Sequence, residues 1–211
     1  MAYDLEEQEQ LAALKAWWKD NGGMVLAALA AAAIAISGWV TWRNWQAGQA
    51  AQAAALYDTM LKAAQAGDAK ALGDAGGTLV ESFPRTHYAS MGALASARFH
   101  FERNDLKNAR TQLQWVADRS SSDELKDLAR LRLAGVMLDE KAYDEALKLL
   151  EAKHSAAMAA QYAALRGDLL VAKGQPAEAK AAYKLALEKS DERGAASFRA
   201  SVQLRLDALG G

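Results

Sequence analysis

Nineteen consecutive residues, Met24 to Trp42, carry no charge and read M-V-L-A-A-L-A-A-A-A-I-A-I-S-G-W-V-T-W. The uncharged run begins at Asn21, directly after Lys19 and Asp20, and stops at Arg43, a length of 22 residues. As a helix it reaches about 33 Å, against a bilayer hydrocarbon core of ~30 Å. Nothing else in the chain resembles it, and it predicts a single membrane crossing.

The aromatic residues support that expectation. Trp17 and Trp18 precede the run, and Trp39, Trp42 and Trp45 close it, so five of the six tryptophans lie where amphipathic indoles would meet the two headgroup layers. A buried core helix of a soluble protein is the alternative that so many alanines would fit, but it has no need of tryptophan at both ends. A cleaved signal peptide wants a basic n-region and an apolar segment of ~7–15 residues, whereas this leader is acidic and the segment is longer. The expected organisation is a short leader over 1–20, an uncleaved signal anchor over 21–43 and a separate domain over 44–211.

Charge is unevenly divided. Met1 to Asn21 holds two lysines and five acids, a balance of −3 within a chain total of −1, which leaves the remainder at +2. A near-neutral domain offers no electrostatic case for nucleic acid, whose binders carry a basic face or stripe. Cysteine is absent, which excludes disulfides, thiol catalysis, cysteine-based zinc sites and a lipidated cysteine. In the leader, Leu11, Leu14 and Trp18 recur at helical spacing, and Asp4, Glu6, Glu7 and Glu9 crowd toward its start. Lys15 and Lys19 precede the span and only Arg43 closely follows it, so the positive-inside rule favours a cytoplasmic N-terminus by one residue.

Beyond the span the composition is helical throughout, rich in Ala, Leu, Lys, Gln and Glu, with Pro84 and Pro176 the only prolines. Short breaks recur at 65–68, 83–86, 103–105, 119–123, 140–142, 173–176 and 190–194, and the segments between them have the rhythm of helix hairpins. Aligning the breaks reveals a repeat. Leu106 to Ala109, Tyr143 to Ala146 and Pro176 to Ala179 superpose, their alanines 37 and then 33 residues apart. Twelve residues before each alanine stands a small residue, Ala97, Ala134 or Gly167, and four after it a large one, Leu113, Leu150 or Tyr183. Small residues let paired helices approach, while the large ones fill the wedge between neighbouring pairs. This spacing, with Asn104, Lys141 and Gly174 as turn residues, resembles the tetratricopeptide repeat. A more degenerate unit is expected over 47–84, and Ala195 to Leu209 reads as a terminal capping helix. The fold class is all-α, a transmembrane helix followed by an α-solenoid.

In combination these motifs resemble one family. The leader ends in L-x-A-L-K-A-W-W-K-D-N-G-G from Leu11, the span closes in W-x-x-W-x-x-W, and F-P-R-T-H-Y-A (Phe83 to Ala89) and F-x-x-x-D-L-x-x-A (Phe101 to Ala109) follow. With R-L-A-G-V-M-L-D-E-K-A-Y-D-E-A-L-K-L-L from Arg132 and R-G-D-L-L-V-A-K-G from Arg166, essentially the whole chain is similar to the YfgM family, tetratricopeptide-like ancillary subunits of the bacterial Sec translocon. The resemblance implies a type II inner-membrane protein. It further implies a periplasmic repeat domain that associates with translocon subunits and a membrane-anchored prolyl-isomerase-like chaperone, and that helps hand unfolded client polypeptides to periplasmic chaperones. A scaffold for another inner-membrane or envelope-maintenance complex is the alternative function.

Catalysis has no support in the residues. His87, His100 and His154 are the only histidines and lack metal-ligand spacing, and Gly73 to Gly77 lacks the Lys-Ser/Thr of a phosphate loop. No enzyme activity, cofactor or metal is expected. Function then falls to surface. The first helix of each repeat pair lines the concave groove, and the family register implies Met91, Leu94, Arg98 and Phe101 from one unit, Leu128, Leu131 and Leu138 from the next, and Gln161, Ala164, Asp168 and Val171 from the last. An apolar lining suits weak capture of extended segments. Within the span, Ala28, Ala31, Ala32, Ala35 and Gly38 form the candidate close-packing face toward another membrane helix.

The anchor yields the first prediction. The protein isolated from membranes should begin at or next to Met1 and remain in the pellet after alkaline carbonate; N-terminal sequencing that starts near Ala33 or later would identify a cleaved signal peptide instead.

Overall fold

The structure is a computed structural model, and it describes residues 2–190 and 196–210, with side chains from Glu9 onward. The chain divides into two compact units, 1–49 and 50–211. The acidic side chains of Asp4, Glu6 and Glu7 and most of the break expected at Ser190 to Gly194 lie outside the described residues, as does Ala195.

Helix α1 spans Ala2–Ala66 and carries the whole first unit. Met24, Leu26, Leu29, Ile34 and Ile36 are exposed along it, and no part of its most apolar window is buried. A soluble protein rarely leaves so large a contiguous apolar surface uncovered. The helix is long and apolar enough to cross a membrane, and its exposure removes the core-helix alternative.

The second unit starts with the last turns of α1 and continues through α2 (Ala69–Ser82), α3 (His87–Glu102), α4 (Leu106–Arg119), α5 (Asp123–Asp139), α6 (Tyr143–Leu149), α7 (Ala159–Ala172), α8 (Pro176–Lys189) and α9 (Ala196–Ala208). From α2 onward the helices pack chiefly on their sequence neighbours, with α5 also touching α3 and α7, the nearest-neighbour pattern of a solenoid. There are no strands among the described residues, so the all-α repeat fold expected above is the one observed.

Four hairpins share one turn. Gly67, Asn104, Lys141 and Gly174 adopt φ of +72°, +60°, +60° and +80°. The N–H after each donates to the carbonyl five residues back: Asp68 to Ala63 at 2.9 Å, Asp105 to His100 at 2.9 Å, Ala142 to Met137 at 2.8 Å and Gln175 to Leu170 at 2.8 Å. This left-handed cap uses the otherwise orphaned carbonyls of the finishing helix and sets the direction of the next. Asp68 and Asp105 then cap the following helix, accepting from the N–H of Ala71 at 2.9 Å and of Asn108 at 3.2 Å. Pro176 opens α8 at a position where a missing N–H costs nothing.

The repeat positions are buried as expected. Ala97, Ala109, Ala134, Ala146 and Ala179 lie in the core, as do Leu113, Leu150 and Tyr183. Gly167 makes the closest approach, because a Cβ built on it would stand well under 3.0 Å from the Tyr183 ring. The degenerate first unit follows the same plan with its volumes exchanged. Counted from Gly67, the two small positions hold Met60 and Leu72, both fully buried, and the large position holds Gly76. Met60 fills the room that Gly76 leaves, its methyl 3.7 Å from where a Cβ would be. Side-chain bulk has moved from one helix to its partner while the spacing of the pair is retained.

One break has no signal among the expected ones. Helix α6 ends at Leu149 after only 7 residues, and an irregular stretch with a 3-10 turn at Ala156–Met158 leads to α7. A buried carboxylate on another helix holds this stretch. Asp127 of α5 accepts the Ser155 N–H at 2.7 Å, its backbone carbonyl accepts the Tyr162 hydroxyl at 2.8 Å, and His154 stacks on the Tyr162 ring at 4.1 Å. Burial, with Asp127 nearby, pushes the Tyr162 phenol up to about 12.

The tight crossing supplies the second prediction. Gly167→Leu should destabilise the protein by ~1–3 kcal/mol through overpacking against Tyr183, and Ala179→Leu should do likewise, whereas Lys184→Leu on the exposed face of α8 should change stability by less than ~0.5 kcal/mol. Equal denaturation midpoints for the three variants would mean that the repeat register is wrong.

Candidate interaction groove

The first helices of successive pairs turn one set of faces toward a common depression. Its larger part, about 660 Å³, lies between the end of α1 (Tyr57, Leu61), α3 (Met91, Leu94, Arg98, Glu102) and α5 (Leu125, Leu128, Arg132). A smaller adjoining part, about 420 Å³, is lined by Leu94, Ala97, Arg98 and Phe101 of α3, Leu113 of α4, and Arg132, Gly135, Val136 and Asp139 of α5. Leu94, Arg98 and Phe101 stand on one face of α3 by helical spacing, and Leu128, Arg132, Gly135 and Asp139 do the same on α5. Leu94, Arg98 and Arg132 belong to both parts.

Five of the residues expected in a groove therefore meet in it: Met91, Leu94, Arg98, Phe101 and Leu128. The others stand elsewhere. Leu131 and Leu138 are half-buried against the central core. Gln161 is exposed near the start of α7, and its amide nitrogen, in the orientation that satisfies both ends, reaches the Met158 and Ala157 carbonyls at 3.1 and 3.2 Å. Ala164 is buried in the C-terminal core, and Val171 is 42% exposed. Asp168 ties three helices together, accepting from the Tyr183 hydroxyl at 2.8 Å and from Arg205 of α9 at 2.7 and 3.0 Å. Burial and this bond to Asp168 raise the Tyr183 pKa. Asp168 thus holds the capping helix to the last repeat.

The lining also contains residues that repeat spacing alone did not single out. Tyr57 and Leu61 come from the degenerate first unit, Leu125 and Arg132 extend the α5 face, and Gly135 forms an open floor. Stepping three or four residues along α5 from Leu128 would have found Leu125, Arg132 and Gly135.

Charges of both signs stand around the apolar floor, Arg98, Arg103 and Arg132 with Glu102 and Asp139. Arg98 donates through Nε to Glu102 at 2.7 Å, and that hydrogen bond and charge raise its pKa further, so the guanidinium stays charged. The Arg103 guanidinium carbon lies over the Phe99 ring, 3.5 Å from its centroid. Arg132 is exposed and forms no ion pair with any carboxylate among the described residues.

Of the three histidines, His87 lines the larger part of the groove and the other two serve packing and pairing. His87 begins α3, His154 stacks on Tyr162, and His100 pairs through Nδ1 with Asp105 at 2.9 Å. The Asn108 side chain and N–H, with a smaller contribution from His100, hold the Asp105 carboxyl below the usual range.

On α1 the small residues Ala28, Ala31, Ala32, Ala35 and Gly38 are all exposed. A shallow notch on the same helix runs from Ala33 and Ile34 past Gly38 to Trp42 and Trp45, sharing only Gly38 with that set.

Comparison with known proteins places the fold. The family model described as a tetratricopeptide repeat-like domain matches residues 15–211. A protein of Haemophilus influenzae named "Ancillary SecYEG translocon subunit" is 31% identical over 209 residues, covering 99% of this chain and all of the relative. A Neisseria gonorrhoeae protein of the same name is 31% identical over 210 residues, again 99% of this chain and all of the relative, and one from Escherichia coli is 30% identical over 188 residues, 88% of each. The chain belongs to the tetratricopeptide repeat-like family of these relatives, the YfgM family that its sequence motifs resemble.

Proposed function

We propose that this protein is a membrane-tethered interaction module serving protein export, an ancillary subunit of the Sec translocon whose repeat groove holds emerging polypeptides and passes them to periplasmic chaperones. The observation that carries the proposal is the coexistence of an exposed apolar helix long enough to cross a bilayer with a groove whose apolar floor is built from the first helices of consecutive repeats. The shared name of relatives that match over nearly the full chain supports the Sec assignment.

In this reading residues 1–20 are a cytoplasmic leader, 21–43 a signal anchor and 44–211 a periplasmic domain, giving a single-pass type II topology. A tethered groove meets a high local concentration of any chain emerging beside its anchor, so weak contacts suffice for capture. A membrane-anchored prolyl-isomerase-like chaperone is the proposed recipient. The fold supplies binding surface and no nucleophile or metal site is proposed, so the role is non-enzymatic. Docking in the bilayer is assigned to the Ala28, Ala31, Ala32, Ala35 and Gly38 face, because membrane helices associate through small residues that allow close approach.

Affinity purification after gentle detergent extraction should recover translocon subunits with the protein. Replacing Met24 to Val40 by an unrelated poly-leucine span should preserve insertion and folding yet reduce crosslinking to the translocon. Recovery of a different stoichiometric partner without translocon subunits would favour the scaffold alternative, and unchanged crosslinking would move the docking surface to the juxtamembrane or repeat regions.

A further inference from the structure

Helix α2 is composed against its own stability. Three of its 14 residues are glycine, Gly73, Gly76 and Gly77, whereas α4 and α8, of the same length, contain none. Only proline is a poorer helix former, because glycine gives up the most backbone freedom on ordering. Gly73 and Gly77 have no compensating reason to be small. Neither has a positive φ, and a Cβ built on either would find nothing within 4 Å. The end charges oppose the helix dipole as well: Lys70 stands in the first turn and Glu81 in the last, where α8 carries Glu178 and Lys189 in the favourable sense. Against this stand the Asp68 cap and three buried residues, Leu72, Ala75 and Leu79. The 3.8 Å approach of Lys70 to Asp74 joins two well-exposed groups and adds little.

What α2 holds down is one wall of the groove. Tyr57, Leu61 and Ala64, from the last turns of α1, line its larger part, and Met60 in the same turns is fully buried in a cluster with Leu72 and Leu79 of α2. Met60 and Leu79 together fill the space over Gly92 of α3, their nearest atoms 3.3 and 2.9 Å from where its Cβ would be. With α2 lifted away, Met60 loses both leucines, and the direct hold of α1 on α3 falls chiefly to Met60 over Gly92 and the contact between the Tyr57 and Tyr88 rings. We propose that α2 opens on its own while the later repeats stay folded, and that its opening releases the last turns of α1 from α3, so that this wall adjusts to what lies against it. Only the use of the movement rests on the groove binding polypeptide, as proposed above; the opening itself does not.

Hydrogen exchange of the full-length protein in detergent micelles, corrected for intrinsic rates, tests the opening without any ligand. Amides of α2 should exchange at least about tenfold faster than those of α8. Gly73→Ala combined with Gly77→Ala, both into open space, should slow α2 by roughly twentyfold, about fivefold for each glycine, and leave α8 unchanged. Glu81→Lys, which touches no glycine, should slow α2 about twofold. Equal protection of α2 and α8, or slowing of both helices alike, means that α2 opens only with the whole domain and overturns the proposal. Release of α1 is read by thiol labelling, because the chain has no cysteine of its own. Ala53→Cys, at a fully buried position of α1, should be labelled in the folded protein, and about tenfold more slowly with Gly73→Ala and Gly77→Ala present. A labelling rate unchanged by the two glycine substitutions means that α1 stays seated when α2 opens, which also overturns the proposal. Failure of either measurement leaves a rigid polypeptide-binding groove in place, and failure of the groove reading leaves both sets of rates standing.

Discussion

The left-handed turn that closes each helix pair is the constraint on which the second unit depends. A residue at positive φ, with the following N–H returned to a carbonyl five residues earlier, fixes where the second helix leaves the first. Once that direction is set, the two helices cross at a fixed distance beyond the turn, and the side chains there decide how closely they approach. Ala97 with Ala109, Ala134 with Ala146, and Gly167 with Ala179 are the small-residue answers to one geometric demand. Repetition of the hairpin then places the first helices side by side, and the groove is the surface they share. Two of the four turns use non-glycine residues, Asn104 and Lys141. Asparagine tolerates this conformation, whereas lysine adopts it at a cost of ~1 kcal/mol or more that the surrounding packing offsets.

Much of this was legible because steric demands write themselves into residue size. Asn104, Lys141 and Gly174 were recognisable as turn residues from their fixed offset to a buried alanine. The first unit was harder to read, since Met60, Leu72 and Gly76 satisfy the same volume with large and small exchanged between helices. A pattern written in residue types breaks when only the sum of volumes is held. The early end of α6 was not legible at all. No glycine or proline marks it, and the contact that holds the stretch after it, the Asp127 carboxylate on the Ser155 N–H, comes from 28 positions away.

The groove was legible in part for a related reason. Repeat register names the helix that faces inward but leaves uncertain, by one or two residues, which side of it meets the hollow. Met91, Leu94, Arg98, Phe101 and Leu128 fall on that side, while Leu131 and Leu138, close to them in sequence, rotate into the core. Asp168 has the polarity of a groove residue, but its carboxylate serves Tyr183 and Arg205, a network that only the packing of α9 reveals. Arg132 and Gly135 escaped because neither size nor hydropathy marks an exposed arginine or a helical glycine as functional; their meaning lies in what they line.

In the proposed function, tether and groove complement each other. The groove is shallow and open, and contacts of that kind bind weakly; an anchor that confines the domain near one exit raises the effective concentration of what emerges there. The central claim is that translocating chains occupy the inward face of the repeats. A photoreactive amino acid placed at Phe101, compared with one at Lys184 on the exposed side of α8, tests it most directly in membranes engaged with an arrested translocation intermediate. The account predicts adducts to the translocating polypeptide from the Phe101 position and none above background from Lys184. Adducts of equal yield from both, or from Lys184 alone, would contradict it.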